Sequence, residues 1–310
     1  MKKPLAPALT YTLIFLAMLF WGLTFVWSSL VFEYYSPVTT LTMRLLISTS
    51  LMFLGLWIFG MFEKIRKTDI KLFILSALFN PFLYFLGENY GIKYSSATIS
   101  AVVIAAIPVF TPVFGYYYLK EKLSIINLLG MLVSFAGILL MLFNNDFSLN
   151  AQPLGVIALS VALITAIAYS ILLKKLSGRY SAFFIIAVQN LIGLVFFLPL
   201  FFIFDWQEFI TIPITTDLAL SLLQLAVFGS SLAFVFYTVG TREIGVNKTN
   251  FFTNLIPVIT AIFSYFVLDE FFDLQKIVGI LLVIIGVILS QLQRRGNFVA
   301  VYRFLGRFRK

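Results

Sequence analysis

The sequence has no cysteine and no histidine. Thiol chemistry, disulfides and the usual zinc or haem ligand sets are therefore excluded. Charge is scarce too: only 11% of the 310 residues are Asp, Glu, Lys or Arg, against about a quarter in a soluble domain. With so few acids and no histidine, no catalytic triad or metal site can be assembled, so an enzyme is not expected. A GxxxxGK[ST] phosphate loop is missing as well. No cofactor and no obligate ATPase subunit are expected.

Apolar residues fill the space left, at 61% of the chain with 36 phenylalanines. A globule has too little interior to hide that surplus, so lipid must be the solvent. Ten apolar segments are long enough to cross a hydrocarbon layer of roughly 30 Å. They lie near 10–31, 37–60, 70–92, 97–118, 124–143, 153–173, 181–204, 216–240, 247–268 and 274–292. Period-two alternation is absent, which argues against barrel strands. The first run is too long for a cleaved leader and lacks a small-residue cleavage pattern. The expectation is an all-α, multi-pass protein of the plasma membrane, the inner membrane if the cell has two. The net charge of +9 is spread in short basic runs between spans. That suits anionic lipid headgroups, not nucleic acid.

Those basic runs set the orientation. Lys2 and Lys3, Lys64 to Lys71, Lys120 and Lys122, Lys174 to Arg179, Arg242, and Arg294 to Lys310 all fall on one face when crossings are counted. Glu33, Asp146, Asp205, Glu208, Asp269 and Asp273 fall on the other, with Lys93 and Lys276 as exceptions. Both termini are expected in the cytoplasm. The basic tail at 296–310 is expected to rest on the anionic inner leaflet or to be disordered.

One phrase occurs twice. VVIAAIPVFTPVFGYYYLKE at 102–121 returns as FFTNLIPVITAIFSYFVLDE at 251–270, an offset of 149 that also pairs Gly91 with Gly240, Gly130 with Gly279, and Gly137 with Gly286. An odd number of spans separates the copies, so they cross in opposite directions, and their end charges follow the side of the membrane. The chain reads as two five-span repeats of inverted topology, 1–145 and 152–295, joined by a short polar link. Inverted repeats can exchange conformations, which supports alternating access.

Several motifs carry a family likeness. LFWGLTFVWSS at 19–29, RLLIS after Ser36-Pro37, and YGIKYSSATISAVVIAAIPVFTPVFGYYYLKEKLS with its second copy from Gly240 to Glu270 are the telling ones. Over about residues 10–292 the chain resembles the drug/metabolite transporter superfamily, in particular its EamA-domain ten-helix exporters. The resemblance implies export or exchange of small metabolites, amino acids among them, along a path between the two halves. Trp21-Gly22 of the first half becomes Ile167-Ala168 in the second, so a symmetric pair of tryptophans is not carried over.

Polar groups inside the spans are the pathway candidates, because charge in hydrocarbon is costly. Arg44 and Glu88 lie at similar depth, roughly 10 Å and 8 Å below the outer surface by helical rise. A structural ion pair, a Glu88 that faces cargo or carries a proton, and snorkelling toward the headgroups all fit. Tyr84 and Asn89 make the surroundings wet. Asn250 and Asn254 share a helical face with Asn247, which suits either a pathway or a bond to a neighbouring helix. Trp21 beside Gly22 is the choice for an aromatic cavity wall. Pro108, Pro112 and Pro257 each free a backbone carbonyl and serve as bend or gate candidates.

The leading reading is a secondary transporter of small organic metabolites, with amino acids, aromatic or cationic compounds as candidate cargo, working outward as a monomer among lipids. Two alternatives stand. One is a sugar-phosphate or nucleotide-sugar exchanger, which calls for more cavity cations. The other is a non-transporting scaffold or sensor, which has no need of interchangeable halves.

Overall fold

The computed structural model describes residues 5–107, 109, 125–143, 151–245, 249–250 and 252–291. These form ten helical segments: α1 (Pro7–Val31), α2 (Pro37–Ile58), α3 (Lys67–Tyr94), α4 (Ala97–Ala105), α5 (Ile125–Leu142), α6 (Pro153–Ser177), α7 (Ala182–Thr211), α8 (Thr216–Ile244), α9 (Phe252–Val267) and α10 (Leu274–Gln291). Six of them, α1 to α3 and α6 to α8, are long and apolar enough to cross a membrane. Among the described residues the other four expected spans are shorter. The gate candidates Pro108 and Pro112, the link at 144–150 and the basic tail lie outside the described residues.

Local chemistry starts the helices. Ser36, Ser96, Ser181 and Thr215 each accept a backbone N–H three residues on, meeting one of the orphan donors at a helix start. Pro7, Pro37 and Pro153 occupy first-turn positions, where the missing N–H costs nothing. Gly245 ends α8 at φ +86°, a conformation that a Cβ resists.

Acids from one helix cap another. Asp205, near the end of α7, accepts bonds from Ser36 Oγ and from Thr39 N and Oγ1 at the start of α2. Glu63, just past α2, accepts from Ser181 N at the start of α7 at 2.8 Å. Helices α2 and α7 therefore run antiparallel, each start neutralised by a carboxylate from the other's far end. Beside Glu63, buried Asp69 binds Arg179 and the Tyr180 hydroxyl.

A second antiparallel pair, α5 and α10, packs backbone to backbone. A Cβ on Gly137 would lie 2.7 Å from Gly279 O, and one on Gly286 would lie 2.6 Å from Gly130 O. No side chain fits at either crossing, and close approach is what small residues supply in lipid. Leu128, Leu132, Leu281 and Ile285 on the same helices are exposed, facing where the hydrocarbon would be.

Three long helices are interrupted. Wide turns occur at Leu78–Leu83 in α3, Phe201–Asp205 in α7 and Leu225–Leu232 in α8. In the first, Pro81 removes a donor and Asn80 is extended at φ −149°, ψ 119°. Such turns free backbone groups and concentrate at functional sites.

Candidate functional site

The wide turn of α3 opens, at Asn80, onto a cavity between α1, α2, α3 and α4 on one side and α6, α8 and α9 on the other. The space it encloses, open mouth included, is about 700 Å³. Aromatic rings build the wall. Trp21 meets Phe234 edge-on at 4.9 Å and Tyr237 at 5.0 Å, while Phe85 meets Phe234 at 5.8 Å. Offset and edge contacts of this kind hold rings rigidly.

Arg44 enters this wall fully buried, at 1% exposure. Its Nε donates to Ser230 Oγ at 2.5 Å, and its guanidinium carbon stands 4.2 Å from the centre of the Phe85 ring, a cation–π distance. Nη1 is buried with no hydrogen-bond partner among the described residues. The wide turn of α8 sets this geometry. A Cβ on Gly229 would press 3.1 Å from Arg44 Nη2, so a glycine admits the guanidinium. Ser230 O accepts from Asn190 Nδ2 at 2.9 Å, that amide also reaches Ser48 Oγ at 2.8 Å, and Ser48 bonds Ser231 at 2.7 Å. Helices α2, α7 and α8 are thus tied by one polar knot behind Arg44.

Glu88 lines the same cavity, also buried, and accepts from the Tyr84 hydroxyl at 2.7 Å. It does not close an ion pair with Arg44: no N–O distance of 4.0 Å or less joins them. The physical reason is competition. Ser230 and Phe85 hold the guanidinium on one side, and Tyr84 holds the carboxylate on the other.

Of the residues singled out in the sequence, Trp21, Arg44, Tyr84, Glu88 and Asn250 line the cavity together. Asn250 Oδ1 accepts from the Tyr237 hydroxyl at 2.5 Å. Asn89 is buried away from it, with Nδ2 donating to Phe85 O at 2.9 Å. Asn254 does not line it either, although neither atom of its buried amide has a partner among the described residues. The tight turn Phe252–Asn254 has three residues per turn, so Thr253, not Asn254, joins Asn250 in the lining. Pro257 is buried in α9. Tyr169, Phe234 and Tyr237 were not singled out. Tyr169 donates to Gln189 Oε1 at 3.2 Å, and Gln189 Nε2 donates to the buried Ser76 Oγ at 2.9 Å. The signal that finds one of them is the repeat offset, which carries Glu88 to Tyr237.

The model of the EamA-like transporter family matches residues 8–143 and again residues 153–292. The chain is 28% identical over 308 residues to the uncharacterized transporter YvbV of Bacillus subtilis (strain 168), covering 96% of both chains. It is 26% identical to the uncharacterized transporter YetK of the same organism, over 76% of this chain and 72% of that one. An uncharacterized transporter of Archaeoglobus fulgidus is 22% identical over 93% and 98% of the two chains. One crystal structure superposes with a TM-score of 0.68 at 14% identity, over 91% of this chain and 98% of the other. At that identity it speaks for the fold alone.

Proposed function

Since this chain belongs to the EamA-like transporter family, and so is a multi-pass membrane transporter of small molecules and not an enzyme, we propose that it carries small organic metabolites outward by alternating access. The cavity is the observation that carries this reading. Trp21, Arg44 and Glu88 come from the first stretch matched by the family, and Tyr169, Tyr237 and Asn250 from the second. A binding centre at the interface of two repeats is what alternating access requires.

The inverted arrangement of ten spans belongs to the same proposal, and repeat-related contacts support it. Gly137 packs on Gly279 O while its counterpart Gly286 packs on Gly130 O, the counterpart of Gly279. Phe85 and its counterpart Phe234 meet across the cavity. The wide turn at Leu78–Leu83 corresponds by offset to residues 227–232, inside the wide turn of α8. Each relation is what a two-fold axis between opposed halves produces.

Among the described residues lining the cavity, Arg44 is the one cation. A sugar-phosphate exchanger needs more than that against a divalent head, so this alternative finds no support in the lining. The test is flux. Proteoliposomes carrying the purified protein are loaded with a metabolite mixture, and the solutes that leave are identified by mass spectrometry. Protein-dependent loss of particular small solutes is expected, and a preparation that moves none overturns the reading.

A further inference from the structure

Gly60 stops α2 in the left-handed region at φ +61°, and Met61 N closes back on Leu56 O at 2.9 Å. The stop divides two kinds of surface. Before it, Trp57 and Phe59 are 73% and 72% exposed, facing where lipid would be. After it, residues 61–66 are not helical, and their side chains alternate as in an extended chain. Phe62, Lys64 and Arg66 are exposed, while Glu63 and Ile65 are partly buried. Two bonds fasten this segment to the start of α7. Glu63 accepts from Ser181 N at 2.8 Å, and Arg66 N donates to the Tyr180 hydroxyl at 3.1 Å. That hydroxyl donates to Asp69 Oδ2 at 2.8 Å, and Asp69 also holds Arg179.

Glu63 and Asp69 are the only acids in residues 57–71 and 171–181, and both are engaged within the protein. The cations are not. Lys64, Arg66, Lys67 and Lys71 from the first stretch are exposed, as are Lys174, Lys175 and Arg179 from the second. Apart from Arg179, none has a carboxylate within 4.0 Å among the described residues. We infer that this end of the molecule, the one expected in the cytoplasm, docks an anionic phospholipid, its phosphate among these cations and its acyl chains along Trp57 and Phe59. Charge complementarity selects the headgroup. Continuity with the exposed apolar face of α2 selects the tails.

Basic loops on one face orient most membrane proteins, but such loops need not be held in place. Here Glu63, Asp69 and Tyr180 fix the loop before lipid arrives, so binding has little ordering cost. The two basic stretches belong to the two regions matched by the family. The pair of Asp69 with Arg179 brings them together, so one lipid touches both, whatever the cargo of the cavity.

Native mass spectrometry of the purified full-length protein reads the binding of dioleoyl phosphatidylglycerol and of net-neutral dioleoyl phosphatidylcholine. The first should bind about 25-fold tighter, the size of two cations at roughly fivefold each beside an anionic surface. In mixed micelles it should also raise the melting temperature, and less so at high salt. Lys64→Gln/Lys67→Gln and Lys174→Gln/Lys175→Gln should each erase most of the advantage. Lys93→Gln, exposed at the other end of α3, should leave it intact. Trp57→Ala/Phe59→Ala should weaken both lipids alike, and glycerol 3-phosphate, a headgroup without tails, should not compete. Equal binding of the two lipids overturns the inference. So does an equal loss in Lys93→Gln, which marks a general effect of charge, and so does full competition by glycerol 3-phosphate, which marks a free-anion site. If a lysine pair fails to accumulate, the lipid comparison and its salt dependence in the parent protein decide alone.

Discussion

Truncating Glu270 should open the end of the molecule that it clasps. Its Oε1 accepts from Ser96 Oγ at 2.8 Å and its Oε2 from Thr98 Oγ1 at 2.8 Å, which ties the segment after α9 to the start of α4. Lys276 stands 3.7 Å away and is partly exposed, so it adds little. A hydrogen bond to a charged group contributes about 1.5–3 kcal/mol, and the lower figure applies to these part-buried hydroxyls. Two such bonds sum to about 3 kcal/mol. If this end separates during transport, Glu270→Ala shifts the balance between closed and open by about 150-fold at 1.4 kcal/mol per decade. Glu270→Gln keeps one acceptor oxygen but offers the second hydroxyl an N–H in place of an acceptor, so it should shift the balance about tenfold.

The native absence of cysteine makes the assay direct. A single cysteine replacing Ser170, which lines the cavity, is modified by an impermeant maleimide applied from the Glu270 side. Modification should accelerate in the order parent, Gln, Ala, and slow in the same order from the opposite side. Thr98→Val, which removes one of the two bonds and leaves the Ser96 cap of α4 intact, should match Glu270→Gln. Equal rates in all three proteins, or a larger shift for Gln than for Ala, would refute the clasp as a conformational element.

Cysteines replacing Lys120 and Asp146 should react from opposite faces of intact cells, and reaction from one face overturns the inverted reading. Gly286→Ala forces a methyl group against Gly130 O and Ser134 and should cost about 1–3 kcal/mol by overpacking, read as a lowered melting temperature in detergent. No change would mean that α5 and α10 separate without cost. Pro108→Ala and Pro257→Ala supply a missing backbone donor in counterpart helices, so they should bias cavity accessibility toward opposite sides. A shift of both in one direction would reduce these prolines to packing features.

Hydropathy exposed the six helices long enough to cross a membrane because lipid leaves the chain no other way to satisfy its backbone. Arg44 and Glu88 were legible for the same reason, since charge inside an apolar run has few excuses. Tyr169, Phe234 and Tyr237 were not, because a chain with 14 tyrosines and 36 phenylalanines gives no local sign of which rings face inward. Only the offset from Glu88 to Tyr237 separates one from the crowd. The wide turns were illegible at Gly229 and Ser230, where nothing interrupts the helix locally and tertiary bonds from Arg44 and Asn190 select the conformation. Asn254 misled because even helical spacing was assumed through a turn that tightens at Phe252–Asn254.

The glycine crossing of α5 and α10 also sets a clock for biogenesis. Gly286 is synthesised 149 residues after Gly137, an interval of roughly 7–30 s at ribosomal speed. Until then α5 presents a bare backbone seam to lipid or to insertion factors. A chain released before α10 leaves that seam open, and the same groove on a neighbouring nascent chain is its nearest substitute. Quality control of this transporter should therefore act on α10: a stop codon just before Leu274, which removes α10 and the basic tail, should send most of the product to degradation.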